Sequence, residues 1–132
     1  MTTEIYWLTL TTLMTGLFWV PYILNRIAVR GLGRAMGNPL STDAPHSPWA
    51  ERALAAHTNA VENLVIFAAL ILAAHAVGVS NGVTEGTAMI YFIARLAHFL
   101  VYLFGIPGAR TLTFAVSWIC QMAIGLSILG LL

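Results

Sequence analysis

Four long apolar runs, separated by short polar or glycine-rich segments, set the plan of this chain. Ile5 to Leu24 gives twenty residues without a charge, enough to cross a hydrocarbon core of ~30 Å as a helix. A second span is expected from about Thr58 to Val77, a third from about Thr87 to Phe104, and a fourth from Thr111 to Leu132. The helix feeding the second span is expected to start near Pro48 or Trp49, because Pro48 suits a first helical turn and Glu51 the positive end of the helix dipole. Residues 25–49 form the only long connection; its GNPLSTDAPHSP run reads as turns and loop. Gly78 to Gly86 and Gly105 to Arg110 are tight connections. There is no internal repeat and no low-complexity segment. The pattern predicts an all-α integral membrane protein, a four-helix transmembrane bundle formed as one domain over residues 1–132.

Two of these spans carry polar stripes. Glu51 to Phe67, ERALAAHTNAVENLVIF, places Arg52, Asn59, Glu62 and Asn63 at the head of the second span. At 3.6 residues per turn, Arg52, Asn59 and Asn63 fall within about 40° of each other, and Glu62 lies about 80° from Arg52. On the third span Tyr91, Arg95, His98 and Tyr102 share one face. Ionisable groups at membrane depth are costly and face protein or a water-filled cavity, so both stripes are candidate functional surfaces. Arg95 sits roughly 13 Å below the Phe104 end at 1.5 Å per residue, and Glu62 about as deep. A structural ion pair between Glu62 and Arg95 is the first geometric expectation, since either charge alone would cost several kcal/mol.

Composition agrees with the pattern. Of 132 residues 59% are hydrophobic and 8% charged, against about 25% charged in a soluble domain. The chain has no lysine and a net charge of +1, which leaves no basic face for nucleic acid. The aromatic pairs Tyr6–Trp7 and Trp19–Tyr22 bracket the first span as interfacial belts, with Pro21 positioned to bend its last turn. No basic residue precedes that span and no small-residue cleavage site follows it, so it reads as a retained span. Arg26, Arg30, Arg34, Arg52 and Arg110 all fall on one side, while Glu4 and Glu85 mark the other. The positive-inside rule places the long first loop in the cytoplasm and both termini outside. The short, lysine-free chain without an obvious retention signal points to a bacterial inner membrane.

Other chemistry-bearing residues have plainer readings. His57 and His75 are too far apart on their helix to share a metal, and no metal site is expected. His98 serves either ligand contact or a helix–helix hydrogen bond. His46 is a loop residue, and Cys120, in an apolar run, is a small buried hydrophobe that can form no intramolecular disulfide. Ala68, Ala69, Ala73 and Ala74 are close-packing positions. The Met and aromatic residues of the fourth span face lipid or neighbouring helices. Arg110 either fixes topology or, standing where the helix dipole opposes a cation, is offset by a bound anion.

The order of features resembles the MAPEG family, the membrane-associated proteins of eicosanoid and glutathione metabolism. It comprises four spans, a long first loop, Glu-Arg-x-Leu-x-Ala-His-x-Asn-x-x-Glu from Glu51, Arg-x-x-His-x-x-x-Tyr from Arg95, and an arginine opening the fourth helix. The resemblance covers nearly the whole chain. It implies homotrimers that bind glutathione between neighbouring subunits. Asn59 and Glu62 match the family's asparagine and glutamate, Arg110 its thiolate-stabilising arginine, and Arg30 a glutathione-contacting arginine. His98 and Tyr102 match ligand-contacting positions, with Arg95 one turn earlier.

The chain departs from the glutathione-binding pattern at Ala55, where an arginine is usual, at Phe114, where a tyrosine is often found, and at Thr111 beside the catalytic arginine. A lost charge-assisted contact is worth a few kcal/mol of affinity; Arg52, three residues before Ala55, is placed to reach along the helix in substitution. The resulting expectation is a glutathione-dependent transferase or peroxidase acting on lipophilic electrophiles that arrive through the membrane lipid. Arg110 would stabilise the thiolate, and Arg30, Arg52, Asn59, Glu62, His98 and Tyr102 would hold the tripeptide. Two rivals are a non-catalytic lipid-binding or accessory membrane subunit, and a proton or solute pathway through Glu62, Arg95 and His98.

Overall fold

The computed structural model describes all 132 residues and is helical throughout its ordered elements. In chain order the helices are α1 (Thr3–Leu17), α2 (Val20–Arg30), α3 (Leu32–Met36), α4 (Pro48–Val77), α5 (Gly82–Leu103) and α6 (Pro107–Ile128). α1 and α2 together make one apolar span, so four segments are long and apolar enough to cross a membrane. The chain is a multi-pass membrane protein. Leu13, Val65, Leu72 and Ile119 are among many large apolar side chains that remain exposed. An aqueous surface does not tolerate contiguous apolar cover on that scale, whereas lipid requires it.

Element boundaries differ from the sequence expectation in instructive ways. Beyond the uncharged span that ends at Leu24, and after a turn at Phe18 and Trp19, the first helical segment runs on to Arg30. Pro21 lies in the first turn of α2, where its missing N–H costs least. The 25–49 connection therefore shrinks to residues 31–47 and includes the short α3. α4 begins at Pro48, as expected. α5 starts at Gly82, because Asn81 and Thr84 form a reciprocal capping box that the hydropathy pattern does not register. α6 stops at Ile128, short of Leu132.

Two stacked aromatic pairs mark the interior. Phe67 of α4 lies on Tyr91 of α5 with ring centroids 3.8 Å apart, within a cluster that includes Leu8, Ile71, Ala88, Cys120 and Ile124. Phe18 lies on Phe99 at 3.9 Å, beside Ala53, Ala56 and Ala60. These three alanines are buried; small side chains let helix backbones approach closely where no hydrophobic effect drives them together.

Gly105 closes the α5–α6 turn with φ 73°. A Cβ there would also stand 3.3 Å from Arg52 Nε, the group that donates to the Leu103 carbonyl at 3.0 Å. Arg52 thus caps the negative end of α5 from α4. Gly105→Ala is expected to cost about 1–2 kcal/mol from the left-handed backbone alone, and to loosen this cap. A lowered melting temperature in detergent, absent for the same change at exposed Gly108, is the check.

Candidate functional site

The loop end of the bundle collects most of the polar side chains. Asn25, midway along α2, accepts from Ser47 N at 3.0 Å and donates to Ser47 Oγ at 2.9 Å, tying α2 to the start of α4. Asp43 gathers the loop: its carboxylate accepts from Arg34 Nε at 2.6 Å and from the Leu40 amide at 2.8 Å, with Arg30 at 4.0 Å. The Leu40 amide, and after it Arg34 and Arg30, hold the Asp43 carboxyl below its ordinary value of 3.8, partial burial opposing them. Because the folded value is depressed, this contribution to loop order is complete well above pH 3.8 and is lost as pH falls through the folded value. Asp43→Asn should reproduce the loss at neutral pH, and trypsin cleavage after Arg34 should then accelerate at least several-fold over wild type. Unchanged cleavage would show that the loop does not depend on this carboxylate.

His46 is more than a loop residue. Burial, with Arg30 and Arg26 nearby, pushes its pKa down. The neutral ring can then accept at Nε2 from Arg26 Nε, 3.3 Å away.

Four of the sequence-derived candidates meet in one place. Asn59 of α4, His98 and Tyr102 of α5, and Arg110 of α6 line a cavity of about 300 Å³, together with Thr111 and Phe114. The Arg110 guanidinium lies over the Tyr102 ring at 4.5 Å. The Tyr102 ring meets His98 edge-on at 5.6 Å, and Phe114 is 6.5 Å from His98. Arg110 forms no ion pair within the chain, where both ion pairs belong to Asp43. No carboxylate lines the cavity. One cation on the first turns of α6, near the positive end of its dipole, makes the cavity electrostatically suited to an anion.

Arg30, Arg52 and Glu62 do not line this cavity. Arg30 is turned into the loop, donating to the Ala44 carbonyl at 2.7 Å, and Arg52 is engaged at Leu103. The expected Glu62–Arg95 ion pair is not formed. Arg95 instead donates from Nη2 to Asn59 Oδ1 at 2.6 Å and lies 3.5 Å from His98 Nδ1. The correction follows from the helix projection: α5 packs on the Asn59–Asn63 face of α4, which leaves Glu62, set off to one side, exposed.

Arg95 is almost completely buried, and its Nε and Nη1 have no partner. It belongs to a polar ladder that the sequence reading did not complete. Asn63 Nδ2 donates to the Asn59 carbonyl at 2.9 Å, and Gln121 of α6 donates to the Asn63 carbonyl at 3.1 Å. Gln121 went unmarked beside the bulky residues of the fourth span. A lone amide in an otherwise apolar membrane helix was the available signal, since it must find a partner. His57 hydrogen-bonds Tyr22 through Nδ1 at 3.1 Å, a packing role.

A family model described as the MAPEG family matches residues 5–130. No curated protein matches the chain.

Proposed function

The chain belongs to the MAPEG family, whose members are in general glutathione-associated membrane proteins, and on that premise we propose that it is a glutathione-dependent transferase or peroxidase acting on lipophilic electrophiles. The observation that carries this reading is the meeting of Asn59, His98, Tyr102 and Arg110 around one acid-free cavity. Glutathione is anionic through two carboxylates and, when ionised, its thiolate, so a cavity with one cation and several neutral donors fits it. When bound, it supplies a thiolate sulfur that forms a bond to an electrophilic centre, whose leaving group departs with the displaced electron pair.

Arg110 would favour thiolate over thiol, as a nearby cation does for any thiol. Its stacking on Tyr102 holds the guanidinium in place without neutralising it. Asn59 is oriented by Arg95 through the 2.6 Å hydrogen bond, which leaves its amide nitrogen free to donate. Tyr102 and Thr111 offer hydroxyls, and His98 an imidazole, around the same space. Glu62 is exposed and unpaired within the chain; in the homotrimer that the family implies, it would receive the ligand's ammonium from a neighbouring subunit's site. Arg30 and Arg52 would contribute only by leaving their present partners. The orientation we propose puts this end of the bundle in the cytoplasm of a bacterial cell, its inner membrane delivering the electrophile.

Calorimetric titration of the detergent-solubilised protein with glutathione tests the proposal. Saturable binding weakened about tenfold or more in both Arg110→Ala and Glu62→Gln is expected, each change removing one charge-assisted contact. No binding at millimolar glutathione, with the oligomer intact, would overturn it and leave a non-catalytic membrane subunit as the reading.

A further inference from the structure

The opposite end of the bundle contains a second polar cavity, of about 240 Å³, bounded by the first turn of α1, the last turn of α4 and the connection to α5. Thr2, Glu4, His75 and Ser80 provide its polar lining. Thr84, beside it on α5, is separated from Tyr102 by roughly 27 Å of helix at 1.5 Å per residue. This cavity is therefore independent of the thiol site.

Glu4 is only 3% exposed. Its Oε1 accepts from Thr84 Oγ1, while Oε2 makes no hydrogen bond of normal geometry, although the Ser80 hydroxyl stands close enough to act on the carboxylate. No cationic side chain forms an ion pair with it. Leaving a buried acceptor unmatched is costly, and more so if it is charged. The carboxylate is nonetheless held deliberately: Glu4 lies in the first turn of α1, whose dipole favours an anion. Thr84 is also the capping-box threonine of α5, which fixes the hydroxyl that Glu4 uses. The C-terminal turn of α4 contributes Ala74, His75 and Gly78 to the wall, and the negative end of that helix favours a cation in the same space.

We propose that this cavity binds a primary ammonium group, with the Glu4 carboxylate as its counter-ion. A divalent metal fits less well, because one carboxylate and one imidazole are too few ligands, and no group of three or more His, Cys, Asp or Glu side chains is assembled anywhere in the chain. An ammonium carries three N–H donors, matched by Glu4 Oε2 and the hydroxyls of Ser80 and Thr2. The terminal torsion of a glutamate is broad, so the carboxylate can reorient towards a bound cation. The volume takes several heavy atoms, at roughly 30 Å³ for each water-sized unit. An ethanolamine lipid headgroup and a free small amine present the same chemistry.

The test titrates the full-length protein in detergent, by calorimetry, with a short-chain phosphatidylethanolamine, the chain-matched phosphatidylcholine and free ethanolamine. The ethanolamine lipid is expected to bind at least tenfold more tightly than the choline lipid, and Glu4→Gln to abolish the difference. Saturable binding of free ethanolamine, equally sensitive to Glu4→Gln, would assign the site to a soluble amine; binding of the lipid alone assigns it to a headgroup. Wild-type protein that binds neither amine, or that treats both lipids alike and ignores ethanolamine, would overturn the proposal. So would an ethanolamine preference that survives Glu4→Gln. The headgroup comparison on wild-type protein needs no variant to fold.

Discussion

Arg110→Ala is expected to lower glutathione-dependent turnover by about 100-fold or more, the usual scale for removing a positioned group that stabilises developing or resident negative charge. The loss should fall mainly on kcat where the thiolate population limits the rate. The pH profile should also move. On the proposed reading, Arg110 would let the thiolate form below the ordinary thiol value of about 8.5. Without it, activity should keep rising towards that value. Arg110→Lys should restore part of the rate, since it keeps the charge but not the planar fork that stacks on Tyr102. Fold stability should change by only about 1 kcal/mol, the worth of a partly exposed cation–π contact. A turnover equal to wild type, in a protein that binds glutathione, would remove Arg110 from the chemistry.

The second large effect concerns the ladder beneath that site. Asn59→Ala strips the one strong acceptor from Arg95, a cation that is 1% exposed. Removing one partner of a buried charge typically costs about 3–5 kcal/mol, whereas replacing both partners by apolar groups of similar volume is often close to neutral. Asn59→Ala should therefore destabilise the protein more than the double change Asn59→Leu with Arg95→Met. Thermal melts of both variants in the same detergent decide it. Equal melting temperatures for Asn59→Ala and wild type would mean that Arg95 is satisfied elsewhere, by water or by another subunit.

The architecture was readable because membrane spans impose a length and an apolarity that few other structures need. The polar stripes were readable too, since the spacing Asn59–Asn63 on α4 and Arg95–His98–Tyr102 on α5 already fixes which residues share a face. The tight Gly105–Arg110 connection already brings Arg110 to the end of α5; what periodicity leaves open is that its guanidinium turns back over Tyr102. What remained illegible was partner choice. Glu62 and Asn59 are three residues apart and both plausible for Arg95, and only the rotation of α4 against α5 selects the asparagine. Charge complementarity alone favours the wrong one. Arg30 and Arg52 show the converse problem: their place along the chain is right for a ligand site, yet backbone carbonyls at Ala44 and Leu103 claim them first. Helix ends were missed where a local device, the Asn81–Thr84 capping box, extends a helix beyond its apolar run.

The double hydrogen bond between Asn25 and Ser47 has a consequence for how the protein can be altered. It ties the middle of α2 to the residue that precedes α4, so the two helices take part of their register from this tie and not only from the chain that runs between. An inserted tag near the exposed Gly37–Leu40 tip should pass little strain into the bundle, as long as the contacts of Asp43, Ala44 and His46 with the arginines are kept.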